Sequence, residues 1–156
     1  MAFVTFSYRH LVILGLAATV ACGGGHTSGV TPTQGSATPE AALEQFLTAV
    51  NAADIDQMAM LWGSERGPEG VTHTMANEER MQRLTIMQRV LRSDNHLVTV
   101  TDASDPAKRV LTVAMTQGTR RFAVPFTMVP MRSGGWIVND IKLDNAMPTG
   151  PSQPRN

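Results

Sequence analysis

The chain is short of cysteine and carries no excess of either charge. Its one cysteine, Cys22, cannot form a disulfide within the chain, so the fold must be stable without that crosslink. Thirteen basic and thirteen acidic residues cancel. Proteins that bind nucleic acid neutralise phosphates with surplus lysine and arginine, so this balance argues against a nucleic-acid partner.

Sequence motifs with a defined chemistry are missing as well. The chain has no glycine-rich phosphate loop, no serine nucleophile elbow and no zinc-ligand spacing, so we expect no cofactor and no metal. Met128 and Met131 offer thioethers that Cu(I) accepts, but residues three apart fall on opposite faces of a strand. Core filling is therefore the better interpretation of these methionines.

The first 22 residues have the pattern of an export signal. The opening MAFVTFSYRH lacks acidic residues and is followed by the uncharged, largely apolar segment 11–21. That segment is too short to span a hydrocarbon core, which takes roughly 20 residues, but it suits the apolar region of a signal peptide. Thr19-Val20-Ala21-Cys22 resembles the lipobox of bacterial lipoproteins, with Thr19 in place of the usual leucine.

The lipobox resemblance implies cleavage before Cys22 and attachment of acyl chains to its thiol. The protein is then expected in the cell envelope, outside the cytoplasmic membrane and facing the periplasm. Gly23 is not the aspartate that retains lipoproteins at the inner membrane of enteric bacteria, which favours the outer membrane by analogy. The alternative is an ordinary secretory signal cut after Ala21 or nearby, with Cys22 unmodified.

Four regions follow from composition. Residues 1–21 are the predicted lipoprotein signal peptide, and residues 22–37, rich in Gly, Ser and Thr, are a predicted flexible tether. The globular domain is predicted over 38–144, and residues 145–156, with three prolines, form a predicted disordered tail.

The first half of the domain is predicted to be helical. Thr38 caps a helix that starts at Pro39, and Asp54 or Asp56 caps a short second helix. A third helix is predicted from about 76 to 92. Between the second and third helices, 64–70 is a predicted loop and Val71–Thr74 a predicted short strand.

The second half alternates apolar and polar residues, which predicts strands at 97–102, 109–117, 120–131 and 135–143. Short turn sequences between them favour an antiparallel sheet. Pro125 indicates an edge strand or a bulge.

The order of predicted elements, helices first and strands second, predicts an α+β fold, with N-terminal helices packed on a curved antiparallel sheet of about four strands. The segments TPEAALEQFLTAVNAADIDQMAMLW and GGWIVNDIKL resemble the opening helix pair and the closing strand of the NTF2-like superfamily, a cone-shaped α+β barrel. The resemblance spans about 39–143. It implies a pocket inside the cone, which enzymes of the superfamily furnish with Asp, His and Tyr. The one tyrosine, Tyr8, lies in the signal peptide, so a tyrosine-dependent isomerase or dehydratase site is excluded from the processed chain.

Three functions are consistent with these features. The leading hypothesis is a non-enzymatic, lipid-anchored module that binds a small apolar molecule or a protein partner. Its ligand-binding candidates are Trp62, Phe122, Phe126, Met128 and Trp136. The second is an acid–base enzyme, isomerase- or hydratase-like, that uses His73, or His96 with Asp140 or Asp102. The third is a structural envelope lipoprotein that forms a homodimer through its sheet.

Overall fold

A computed structural model describes residues 35–147 of the chain. The signal peptide, Cys22 and most of the predicted tether and tail lie outside these residues. Within the described part, Ser36 forms a single antiparallel bridge with Trp136. No helix among the described residues is long and apolar enough to cross a membrane.

The first two helices begin at the predicted caps. Helix α1 spans Pro39–Ala52, and the Thr38 hydroxyl accepts a hydrogen bond from the backbone N–H of Ala41 at 3.2 Å. Helix α2 spans Ile55–Leu61, and the Asp54 carboxylate accepts from the N–H of Gln57 at 3.0 Å. Each cap satisfies a backbone donor that has no partner inside the helix.

The segment after α2 differs from the prediction. Two short strands, β1 (Gly63–Ser64) and β2 (Gly67–Pro68), pair antiparallel, and helix α3 follows over Glu69–Thr72. The predicted strand over Val71–Thr74 is therefore wrong. The Glu69 carboxylate accepts hydrogen bonds from the backbone N–H and the hydroxyl of Thr74, which closes a turn and overrides the strand preference of valine and threonine.

Helix α4 spans Asn77–Leu91, close to its predicted bounds. Its buried residues Leu84, Met87 and Leu91 recur at helical spacing and face the core. The residue at its N-cap, Ala76, provides no side-chain hydrogen bond to the helix.

The four predicted long strands are confirmed as β3 (Asn95–Asp102), β4 (Arg109–Gln117), β5 (Arg120–Pro130) and β6 (Trp136–Ile141). They form one antiparallel sheet in the order β3-β4-β5-β6. A short 3-10 helix, Leu143–Asn145, follows β6. The predicted α+β class is confirmed.

Two irregularities interrupt the pairing. One register shift lies in β3 between Val100 and Asp102. The other lies between β5 and β6, where Thr127 pairs with Asp140 but Met128 pairs with Val138. Asn139 is therefore an extra residue on β6, which is the definition of a β-bulge.

Pro125 lies in β5, which is an interior strand, so of the two predicted positions the edge is wrong. The β5–β6 register shift lies two residues further along, between Thr127 and Met128. The proline carbonyl accepts a hydrogen bond from the N–H of Lys142 at 3.0 Å, just past the end of β6. In an antiparallel sheet, the backbone nitrogen and the carbonyl of one residue point to the same neighbouring strand. The missing N–H of Pro125 thus faces the end of β6, where the ladder stops.

One face of the sheet packs on α1, α2 and α4 to form the core. Phe46 of α1 meets Phe126 of β5 edge-on, with ring centroids 6.4 Å apart. A smaller buried cluster consists of Val129, Met131 and Ile137.

Candidate functional site

A groove lies beside α4 and β6, which we call the α4–β6 groove, and its volume is about 310 Å³. Its lining residues are Trp62, Arg83, Ile86, Met87, Asn139, Asp140, Ile141 and Leu143. Trp62, Met87 and Ile141 belong to the core cluster and supply apolar surface, while Ile86 is exposed on α4. The groove therefore borders the hydrophobic core directly.

Polar groups complete the lining of the α4–β6 groove. Arg83 forms an ion pair with Glu79 at 2.8 Å, one turn away on the same helix. The Asn139 amide donates to the carbonyl of Gly63 at 2.8 Å, which ties β6 to the β1–β2 hairpin. The groove thus combines apolar surface with a guanidinium, an amide and the carboxylate of Asp140.

Asp140 also lines the groove and is already paired. Its carboxylate lies 2.6 Å from the ammonium of Lys142. This hydrogen bond, with the carboxylate charge, raises the pKa of Lys142 above its ordinary value.

A second groove, the sheet groove, opens on one end of β3, β4 and β5 and has a volume of about 530 Å³. Its lining residues are Asn95, His96, Leu97, Ala114, Met115, Thr116, Arg121, Phe122 and Ala123. The predicted ligand residue Phe122 lies here, with the Arg120 guanidinium 4.4 Å from its ring centroid.

His96 is paired with a carboxylate that the sequence did not indicate. Its Nε2 lies 2.8 Å from the carboxylate of Glu44, so the pair connects β3 to α1. The structure brings neither proposed partner to this imidazole. Asp140 pairs with Lys142, and the Asp102 carboxylate accepts from the N–H and hydroxyl of Ser104 at 2.9 and 2.7 Å. These bonds lower the pKa of Asp102 below its ordinary value.

His73 lies apart from both grooves, as it lines neither. It ends α3 in the left-handed conformation, with φ of 47°. Its Nδ1 lies 2.8 Å from Nη1 of Arg80 on α4. The contact holds the short α3 segment against α4.

The other predicted ligand residues occupy different environments. Trp62 is largely buried and lines the α4–β6 groove. Phe126 and Met128 are 0% exposed within the core cluster and line neither groove. Trp136 is half-buried, with the Arg109 guanidinium 5.7 Å from its ring centroid.

Sequence reasoning also missed Glu69, the one buried charged side chain among residues 35–147, at 5% exposure. The Glu69 carboxylate accepts hydrogen bonds from the N–H and the hydroxyl of Thr74. These bonds fix the loop that leads into α4. The composition of 64–70 is typical of an exposed loop, so nothing in the sequence indicated that Glu69 is buried.

In the part of the chain that the structure describes, no cluster of three or more His, Cys, Asp and Glu side chains could hold a metal ion. No family model, no curated protein and no solved structure matches the chain.

Proposed function

We propose that this chain is a lipid-anchored envelope protein whose domain is a non-enzymatic module that binds a small amphipathic molecule in the α4–β6 groove. The observation that carries the proposal is the apolar lining of this groove, continuous with the core, beside a guanidinium and an amide. Small-molecule sites are typically concave and mostly apolar, with a few placed polar groups.

The groove's chemistry favours a ligand with an apolar body and one anionic end, because the Asp140 carboxylate in the lining is already paired with the Lys142 ammonium at 2.6 Å. Trp62, Met87 and Ile86 would contact the apolar body, whose burial contributes about 25 cal/mol per Å². Arg83 would meet the anionic end. Its present pair with Glu79 is exposed, and such pairs contribute only about 0–1 kcal/mol, so exchanging Glu79 for a ligand anion costs little.

The anchor is the second part of the proposal. The apolar segment 11–21, which ends in Val20-Ala21 and is followed directly by Cys22, supports cleavage before Cys22 and acylation of its thiol. Two or more acyl chains anchor a protein stably, because each buried methylene contributes about 0.8 kcal/mol. We expect mass spectrometry of the native product to find Cys22 as the acylated first residue, and Cys22→Ser to abolish membrane association. An intact leader or an unmodified Cys22 would disprove this part.

The same proposal assigns the fold to the NTF2-like cone. The order of two opening helices, α4 and a four-stranded meander supports this assignment. An experimental structure in which the sheet is flat would contradict it.

Ligand binding can be tested with a fluorescent amphipathic anion, 8-anilinonaphthalene-1-sulfonate, titrated into the processed chain. We expect Ile86→Asp to weaken binding at least tenfold, because it places a carboxylate over the apolar lining. The matched control is Val71→Asp, another β-branched apolar residue on the surface, 59% exposed against 42% for Ile86 and outside both grooves. Equal binding by both variants would refute the α4–β6 groove as the site.

One observation favours a second candidate, an acid–base enzyme. The His96–Glu44 pair, at 2.8 Å, includes a residue of the sheet groove, and a carboxylate can orient an imidazole for proton transfer. If this candidate holds, isomerase or hydratase turnover is expected to vanish in His96→Gln and to fall strongly in Glu44→Gln. Turnover that persists in His96→Gln excludes it.

A further inference from the structure

The chain joins the domain at the start of β6, before the first helix begins. The carbonyl of Ser36 accepts a hydrogen bond from the backbone N–H of Trp136 at 2.9 Å, and the two residues form an antiparallel bridge. Ser36 belongs to the predicted tether, 22–37, yet its backbone is bound to the sheet. The tether therefore leaves the domain beside Trp136.

Gly35 holds the chain closely at this point. A Cβ on Gly35 would lie 2.3 Å from Cε of Met131 and 2.9 Å from the carbonyl oxygen of Trp136. Its own carbonyl oxygen would lie 2.3 Å from a Cβ on Gly135. Met131 belongs to the smaller buried cluster, so the bare backbone of Gly35 packs against apolar surface. We call Gly35–Ser36 the tether clamp.

The tether clamp lies at one end of the main sheet. Trp136 pairs with Pro130, the last residue of β5. At the other end of β5, Arg120 pairs with Gln117 across the β4–β5 turn. β5 has 11 residues, so its two ends are about 33 Å apart. The sheet groove lies at the end far from the tether clamp.

The segment 23–34 connects the tether clamp to Cys22, the proposed site of acylation. A flexible segment of this length has a root-mean-square span of about 20 Å, and its full extension is about 45 Å. The average span is shorter than the sheet. The tether clamp therefore stays closer to the acyl chains than the far end of the sheet does.

We propose that the end of the sheet with the tether clamp faces the lipid bilayer, and that the sheet groove at the opposite end faces the aqueous phase. This inference rests on the proposed anchor at Cys22 and needs no ligand in the α4–β6 groove. Charge does not select the orientation, because the β1–β2 turn beside Arg132 brings one acid, Glu65, and one base, Arg66. The position at which the tether joins the domain selects it.

Energy transfer from a thiol-linked fluorophore to rhodamine-labelled lipid tests the orientation. The processed, acylated chain is reconstituted in vesicles of phosphatidylethanolamine and phosphatidylglycerol. Acylation blocks Cys22, which is the chain's one cysteine, so an introduced cysteine supplies the free thiol. Ser133→Cys and Thr119→Cys are a matched pair, because each lies in an exposed hairpin turn and the two turns lie at opposite ends of β5.

We expect the transfer efficiency to be at least twofold higher at Ser133→Cys than at Thr119→Cys, and the difference to persist in high salt, which screens charge. Equal transfer, or more at Thr119→Cys, overturns the proposal. A difference that disappears in high salt also overturns it, because headgroup charge would then select the orientation. A chain that does not float with the vesicles disproves the anchor itself, and flotation is measured before any transfer.

Tether length provides a second test. Inserting 24 Gly and Ser residues after Gly29 raises the root-mean-square span of the connecting segment to about 33 Å, comparable with the sheet. We expect the difference between the two labels to shrink, and the single substitution Gly29→Val to leave it unchanged. A difference that survives the longer tether contradicts the proposed cause.

The tether clamp is tested without a membrane. In the detergent-solubilised chain, we expect the amide of Trp136 to be protected from hydrogen exchange by its bond to Ser36. Gly35→Val should reduce that protection at least tenfold, because the added side chain cannot fit against the carbonyl of Trp136. Gly29→Val is the matched control and should leave it unchanged. Equal protection in both variants would contradict the tether clamp.

Discussion

At the scale of single residues, Gly134 and Gly135 show how two adjacent positions with the same backbone requirement differ in their surroundings. Both have positive φ, 96° and 76°. A Cβ on Gly134 would meet nothing within 4 Å, whereas a Cβ on Gly135 would lie 2.3 Å from the carbonyl oxygen of Gly35. The second glycine therefore allows a close approach of two backbone segments.

We predict that Gly134→Ala lowers the free energy of unfolding by about 1–2 kcal/mol, the cost of a left-handed conformation for an L-residue. Gly135→Ala should cost roughly 1–3 kcal/mol more, because the backbone must also move apart. Urea denaturation followed by circular dichroism measures both. Equal losses would show that the approach of Gly35 is not tight in solution.

Asp102 provides a second prediction at this scale. Its pKa is lowered chiefly by the backbone and side-chain hydrogen bonds from Ser104. We expect Ser104→Ala to raise this pKa part of the way to its ordinary value, since the backbone donor remains. A carbon-13 NMR titration of the carboxyl measures it, with Ser133→Ala as the control that leaves it unchanged.

The sign of the linked stability follows from the lowered pKa. A carboxyl that titrates lower in the folded state stabilises the fold above its unfolded pKa, and the contribution is lost as the pH falls through the folded pKa. Ser104→Ala should therefore reduce stability at neutral pH but have a smaller effect in acid. A larger effect in acid would contradict the assignment.

At the scale of secondary structure, the two long helices differ at their N-termini: α1 has a side-chain hydrogen bond to its first free backbone donors, and α4 has none. Ala76 has the extended backbone of an N-cap but no side-chain oxygen, and Glu79 stands three residues later. Ala76→Ser completes a capping box and should stabilise the domain by about 1 kcal/mol.

The control for the cap is Ala41→Ser, at an exposed position inside α1. Serine has the lower helix propensity there, so this change should destabilise by about 0.5 kcal/mol. Chemical denaturation distinguishes the two. A loss of stability in Ala76→Ser would show that the helix begins elsewhere.

The elements that the sequence predicts correctly are those with local causes. The starts of α1 and α2 follow from the hydroxyl of Thr38 and the carboxylate of Asp54, and period-two alternation marks the four long strands. The strand predicted at Val71–Thr74 was also based on local residue preference, but that preference does not decide the backbone there. The hydrogen bonds from Thr74 to Glu69 decide that backbone, and neither propensity nor period contains them.

The candidate site was less predictable for the same reason. Glu44 lies on the solvent side of α1 and is 52 residues from His96, so only the packing of α1 on the sheet reveals the pair. Trp62 and Arg83 share a groove because α2 and α4 pack together. The sequence indicated Trp62 as apolar but contained no sign of its neighbours.

At the scale of the whole molecule, one core joins the helices to the sheet. The Phe46–Phe126 contact connects α1 to β5, and the same cluster includes residues of α2, α4, β4 and β6. A domain of this size with one shared core is expected to unfold in a single step.

We predict that Phe46→Ala lowers the free energy of unfolding by about 3–5 kcal/mol through the cavity it leaves. Helical circular dichroism and the fluorescence of Trp62 and Trp136 should give the same, lower urea midpoint. Val71→Ala, an exposed position, should change stability by less than about 0.5 kcal/mol. Two separated transitions would mean that helices and sheet unfold independently.

The extra residue on β6 explains how one strand contributes buried side chains to the interior and adjacent polar side chains to a surface cleft. Strict alternation after Val138 would allow one outward side chain before the next inward one, yet Asn139 and Asp140 both project outward and Ile141 returns to the interior. Removing Asn139 would leave Val138-Asp140-Ile141, which alternates regularly. The hydrophobic interior would keep its contacts, while the amide link to Gly63 would be lost. A one-residue deletion thus offers a way to separate the folding of this domain from the shape of its cleft.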